Sequence, residues 1–270
     1  MMNSQSLQQL YQEQLIKAGV EIQKARQASQ ILSVKEFQLI GDIWPEWETI
    51  LAQANCKEFV TEQLIKLENH CSVYSLSKRL IDLIGALIGL GILSIIIIPI
   101  AIAIKLDSPG DVFYSQIRCG LKGKPFKIWK FRTMVANADQ QKYLIENEVE
   151  GQLFKNKNDP RVTRVGKFLR STSLDEFPQF WNVFRGEMSL VGTRPPHPEE
   201  VCQYQNHHYQ RLVVKPGMTG EWQVNGRSSI KNFEEVVKMD LKYQQKWSPI
   251  YDLKLILNTI IVVFRAKGAY

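Results

Sequence analysis

The stretch "LIGALIGLGILSIIIIPIAIAI", Leu83 to Ile104, carries no charged residue. As a helix it is about 33 Å long, enough to cross a bilayer core. A buried globular helix rarely stays apolar on every face for so long. The segment begins far from the N-terminus, so it does not read as a signal peptide. Lys78-Arg79 precede it and Lys105 follows, and Val112 to Ala138 holds basic residues and no acid. Lys/Arg near the ends of a span mark the cytoplasmic side. Here both ends carry that mark, which a straight span does not satisfy. Pro99 lacks an N–H and clashes with the carbonyl of Ile95, which places a break near Ser94–Ile98. A helix that enters and leaves through one leaflet satisfies both flanks. A kinked spanning helix is the alternative, and the segment alone leaves both open.

The 270 residues suit one domain with an extension. A mean hydropathy of −0.20 excludes a chain made of many spans. Residues 1–77 hold six Lys/Arg against nine Asp/Glu, while the remainder holds 28 against 18. A basic main body points to a polyanionic partner, either nucleic acid, anionic lipid or a phosphate-bearing substrate. Cys56, Cys71, Cys119 and Cys202 form no C-x-x-C and no zinc spacing, and free thiols are the simple reading. His207-His208 suggests a metal pair, but nothing else in the sequence completes its ligand set.

The N-terminal region reads as helices, with Trp47, Ile50, Leu51 and Ala54 at i, i+3, i+4, i+7 and a break at Pro45. Val60, Leu64 and Leu67 continue the pattern. After the apolar segment, "DVFYSQIRCGLKGKPFKIWKFRTM" reads as two strands around a Gly/Pro turn. Helices follow in "TSLDEFPQFWNVF", "FEEVVKMDLKYQQKW" and "DLKLILNTIIVVF". Phe177, Phe180, Trp181 and Phe184 share one face, suited to a core or to lipid headgroups. The fold class is mainly α with a small β-hairpin.

Asp175 and Glu176 stand side by side in "SLDEFPQFW". Ser173 and Glu176 match an S-x-x-E capping box, the favoured local reading. Adjacent carboxylates in one turn are poorly placed for glycoside hydrolysis, which needs them about 5–9.5 Å apart across the bond. They suit a divalent cation and a diphosphate better. Arg161, Arg164, Lys167, Arg170, Arg185 and Arg194 surround them in sequence and would offset phosphate charge. "VKPGMTGEWQVNGRSS" brings Asn225, Gly226 and Arg227 into a glycine-rich loop that can offer N–H groups to phosphate. A membrane-tethered scaffold explains the apolar segment but not the carboxylates among arginines. A nucleic-acid binder is not expected, because the aromatics do not interleave with the cations.

Taken together, "KRLIDL", "KLDSPG", "VFYSQIRCGLKGKPFKIWKFRTM", "DPRVTRVGKFLRSTSLDEFPQFWNVFRGEMSLVGTRP" and "PGMTGEWQVNGR" resemble the bacterial sugar transferase family, the monotopic polyprenyl-phosphate phosphoglycosyl transferases. The ending "KGAY" looks most like members that start exopolysaccharide repeat units. The resemblance covers Lys78 to Tyr270. It implies transfer of a sugar-1-phosphate, a hexose phosphate, from a UDP-sugar to undecaprenyl phosphate, with UMP released. It also implies Mg2+ held at Asp175 and Glu176, an aspartyl-phosphosugar intermediate, and phosphate contacts at Arg170 and Arg194. It implies a lipid bilayer as partner, at the cytoplasmic face of a bacterial plasma membrane, and leaves the oligomeric state open, self-association included. The organisation it suggests is a helical extension over 1–77, a re-entrant membrane helix over 78–106 and a catalytic domain over 107–270. Where the family has Ser-Pro in its membrane helix, this chain has Ser94-Ile95, with the proline at Pro99. Thr193 and Asp111 likewise stand at positions where the family usually has proline.

Overall fold

The computed structural model describes residues 4–17, 20–33, 36, 60, 63–136, 138, 159–225, 230 and 232–264. The readings on Trp47, Ile50, Leu51, Ala54 and Pro45 lie outside these residues, as do Gly226 and Arg227. Two compact units are present, Met1–Glu62 and Gln63–Tyr270. In the first, helices α1 (Ser4–Lys17) and α2 (Ile22–Ile31) pack together, with Ala25 and Ser29 buried.

The second unit begins fifteen residues before the boundary read from the sequence, which fell at residue 77. The His70 N–H donates to the Val213 carbonyl (3.0 Å), and its ring meets the Gln244 carbonyl and the edge of Trp247. Residues 63–77 therefore pack with the body. Helix α3 (Leu76–Asp107) is the apolar segment, and the Ser75 side chain caps it by accepting from the Lys78 N–H. Helical secondary structure runs through Ser94, Ile95 and Pro99, with Pro99 inside the helix. Ser94 Oγ bonds back to the Gly91 carbonyl at 2.7 Å.

Strands β1 (Phe113–Cys119) and β2 (Pro125–Phe131) form the expected antiparallel hairpin, in register from Phe113 opposite Phe131 to Cys119 opposite Pro125. The turn between them uses positive φ at Lys122 and Gly123. Helices α4 (Arg164–Ser171), α5 (Gln179–Arg185), α6 (Pro198–Cys202), α7 (Glu221–Asn225), α8 (Phe233–Lys246) and α9 (Pro249–Phe264) complete the body. A second sheet went unread in the sequence: β3 (Ser189–Val191) pairs in parallel with β4 (Gly217–Thr219). Three-residue strands are too short to display a period. Gly192 and Gly217 permit this pairing, since a Cβ on either would meet the other segment's backbone at 2.2 or 2.1 Å.

One core cluster joins Ala86 of α3 to Phe126 and Ile128 of β2, Val183 of α5, Val191 of β3, and Tyr243 and Leu255. A second joins Ile100 and Ile104 of α3 to Phe131 and Leu169. Gly89 lets α3 approach α5, where a Cβ would meet the Phe180 ring at 2.4 Å. Lys78, read as a membrane-flanking cation, is instead buried. Its ammonium donates to Asp252 Oδ2 (2.7 Å), the Val191 carbonyl (3.0 Å) and the Tyr243 hydroxyl (3.2 Å). Arg79 is also structural, donating to the Val183 and Phe184 carbonyls at the C-terminus of α5. At the other end of α3, Asp107 Oδ2 accepts from the Val165 N–H of α4 at 2.9 Å.

The outer face of α3 is an apolar stripe: Leu80, Ile84, Leu87, Ile88, Ile92, Ile95, Ile98, Ile102 and Leu106 are exposed at i, i+3, i+4 spacings. Ile250, Leu253, Leu257, Ile260 and Ile261 of α9 are exposed as well. The aromatic face of α5 splits. Phe177 and Phe180 pair edge-on and pack toward α3, whereas Trp181 and Phe184 stack on each other at 5.7 Å and face outward. Cys71 is an exposed and Cys119 a buried free thiol.

Candidate active site

The Asp175-Glu176 pair does not sit in a capping box. Ser173 adopts left-handed backbone, φ 56°, and its side chain makes no cap hydrogen bond. The chain turns sharply there, and Leu174–Glu176 forms a single 3-10 turn between α4 and α5. Helix α5 starts after Pro178, which brings no capping side chain. Asp175 lies buried in this turn at 8% exposure.

Cations converge on this turn from two elements. Lys130 of β2 donates to Glu176 Oε1 at 2.7 Å. Arg170, from the last turn of α4, donates through Nε to Thr133 Oγ1 at 2.9 Å, which holds the guanidinium in place. Burial lowers the Arg170 pKa, and the Asp175 and Asp159 carboxylates oppose that shift. An arginine this basic stays charged regardless.

Arg194 lies close enough to Arg118 of β1 to affect its charge. Burial and Arg194 bring the Arg118 pKa down to about 10, while Glu200, Tyr114 and Glu176 hold it up. Arg118 Nη1 donates to the Pro195 carbonyl (3.1 Å), and the Cys119 N–H donates to the Pro196 carbonyl (2.9 Å). Strand β1 thereby fixes the loop that carries Arg194. Arg161 is buried against Asp159 at 2.7 Å, Arg185 pairs with Glu187, and Arg164 and Lys167 are exposed on α4. Asn225 ends α7 on the exposed surface.

Lys130, Thr133 and Arg118 were missed in the sequence. Lys130 was legible in principle, because it shares the strand parity of the buried Phe126 and Ile128. Thr133 and Arg118 carry no such signal, since their roles depend on elements distant in the chain.

The two adjacent carboxylates are hard oxygen donors, the chemistry magnesium takes. Lys130 and Arg170 already balance their charge, so the set fits magnesium only in a shell shared with substrate phosphates, as is usual for this ion. The structure does supply a third ligand-type group beside His207-His208: Glu234 lies 3.0 Å from His207 Nε2 and 2.6 Å from His208 Nε2. His208 Nδ1, however, accepts from the Gln205 N–H at 3.1 Å. In the neutral His208 ring the proton then sits on Nε2 and faces Glu234, which describes a helix-capping contact and leaves His208 no nitrogen for a metal.

The Bacterial sugar transferase family profile matches residues 73–266. Galactosyl transferase CpsE of Streptococcus agalactiae is 46% identical over 72% of this chain and 43% of its own length. UDP-glucose:undecaprenyl-phosphate glucose-1-phosphate transferase of Escherichia coli K12 is 42% identical over 73% of this chain and 42% of its length. Exopolysaccharide production protein ExoY of Sinorhizobium fredii is 37% identical over 72% of this chain and 88% of its length. The chain thus spans less than half the length of the first two relatives and most of the third. With residues 73–266 of the second unit matched, the Asp175 turn and the apolar helix included, this chain belongs to the bacterial sugar transferase family.

Proposed function

We propose that the chain transfers a sugar-1-phosphate from a UDP-sugar to undecaprenyl phosphate at a membrane surface, as the first lipid-linked step of exopolysaccharide or related glycan synthesis. The observation that carries the proposal is Asp175, buried in the 3-10 turn between α4 and α5, beside Arg170 and next to a Glu176 held by Lys130. Relatives named as undecaprenyl-phosphate sugar phosphate transferases support the substrate classes.

In this reading an Asp175 carboxylate oxygen attacks the phosphorus bearing the sugar. The bond from that phosphorus to the UMP oxygen breaks, and UMP leaves with the electron pair. A phosphate oxygen of the polyprenyl phosphate then attacks the same phosphorus. The aspartyl–phosphorus bond breaks, which regenerates the carboxylate and gives the polyprenyl-diphosphate sugar. Arg170 and Arg194 reduce the repulsion between anionic nucleophile and anionic phosphate. Lys130 orients Glu176. Asp175 and Glu176 are the residues that would hold magnesium, which when bound would supply further neutralisation of phosphate charge.

The membrane geometry belongs to the same proposal. Both ends of α3 are tied to one body, through Lys78–Asp252 at its start and Asp107–Val165 at its end. A helix crossing the bilayer would carry one of these anchors to the far side. The anchors and the apolar outer stripe support a helix held in one leaflet, with the body on the cytoplasmic face.

The test is Asp175→Asn. A helix cap tolerates Asn nearly as well as Asp. The proposal expects a folded protein that releases no UMP and shows no sugar-phosphate adduct by mass spectrometry, where the wild type shows both. Substantial turnover in this variant would remove the covalent step.

A further inference from the structure

A cavity of about 170 Å3 opens at the first turn of α3, lined by Ser72, Ser75, Lys78, Arg79, Asp82 and Lys215. It lies away from the Asp175 turn: Leu174 packs with Leu93–Ile104 in the second half of α3, whereas the cavity lines its start. Its volume is well above the ~15 Å3 that one water needs. Three cations line it or reach it, and they differ in how far they are satisfied. Lys78 spends its three donors on Asp252, Tyr243 and the Val191 carbonyl. Arg79 spends one N–H of each terminal nitrogen on the carbonyls ending α5. The Lys215 ammonium, half-buried, makes no hydrogen bond or ion pair among the described residues.

The carboxylates nearby do not meet this demand. Asp252 belongs to Lys78, and Asp82 Oδ1 already accepts from Ser189 Oγ (2.8 Å) and the Leu190 N–H (2.9 Å). Three cations against these two carboxylates leave one positive charge uncompensated. Burial and the Arg79 and Lys78 charges push the Lys215 pKa down, against the pull of Asp82. An ammonium in that setting gains from an added anion.

The rim indicates where the anion comes from. Tyr74 and Leu76, which line the opening, stand exposed at 72% and 86%. An apolar rim around a cationic floor matches a phosphate group attached to acyl or prenyl chains. We infer that this cavity is a second phosphate-binding site, apart from the Asp175 turn, in which Lys215 and Arg79 receive the phosphate group of a membrane lipid. The inference does not depend on the catalytic role of Asp175.

The test reads the reactivity of Lys215 in the full chain, by the rate of acetylation with an N-hydroxysuccinimide ester and peptide mass spectrometry. The exposed Lys238 on α8 serves as the reference. The probes are vesicles of phosphatidylglycerol, vesicles of a phosphate-free glycolipid, and inorganic phosphate in detergent at constant ionic strength. An opposite charge raises an amine's pKa by at least a unit, so Lys215 acetylation slows by about tenfold while Lys238 does not. Slowing in phosphatidylglycerol but not in glycolipid vesicles supports a lipid phosphate. Slowing by inorganic phosphate alone supports the phosphate site and assigns it to a free anion. Equal Lys215 rates under all three conditions overturn the proposal. The readout needs no variant, so misfolding does not obscure it.

Discussion

Lys130 Nζ lies 2.7 Å from Glu176 Oε1, joining the second strand of the hairpin to the turn that presents Asp175. The pair is partly open to solvent, so its contribution to stability is within about 1 kcal/mol. Its contribution to geometry is larger. Lys130→Met should leave the melting temperature nearly unchanged but lower UMP release by about 10²-fold, the cost typical of a displaced catalytic group. Thermal melts and turnover measured on the same preparation check both parts. A large loss of stability, or unchanged turnover, would contradict this assignment.

The buried Lys78–Asp252 pair predicts the opposite balance. Lys78→Met strands the Asp252 carboxylate at 1% exposure and should cost about 3–5 kcal/mol. The double variant Lys78→Met, Asp252→Leu should recover much of that, because replacing both partners removes the stranded charge. Denaturant unfolding in detergent measures the two. A double variant no better than the single would place the loss elsewhere in the network.

Topology follows from the two anchors of α3. Cys71 carries an exposed free thiol just before the helix, and Asp111 is exposed just after it. In intact cells an impermeant maleimide should label neither Cys71 nor an Asp111→Cys variant until the membrane is permeabilised. Labelling of either from outside would exclude both ends lying on the cytoplasmic side.

Acid sensitivity should appear at Asp159. Arg161 donates to its carboxylate from Nε and Nη2 and holds its pKa below the ordinary value. A depressed carboxylate stabilises the fold above its unfolded pKa of about 3.9, and that stability is lost as pH falls through the lower folded value. Asp159→Asn should therefore melt below the wild type by a constant margin at pH 5–7. The margin should shrink below about pH 4. A margin that widens on acidification would show that the pair is not the cause.

The sequence made the apolar helix legible because composition alone sets it, and the hairpin because its alternation and Gly/Pro turn are local. Helices α8 and α9 followed for the same reason. Local pattern misled at Ser173 and Glu176, whose capping-box spacing is overridden by the left-handed turn at Ser173.

By itself the sequence determined that a long uncharged helix, a basic body and an Asp175-Glu176 pair belong to one chain of this family. Only the tertiary structure decided which charges meet. Lys130 and Glu176 are 46 residues apart, and Lys78 and Asp252 are 174 apart. No helical or strand period spans such distances. Lys78 and Asp252 pair because burial leaves each charge no water and packing brings the other within reach, whereas the part-exposed Lys130 and Glu176 meet because β2 packs beside the Asp175 turn.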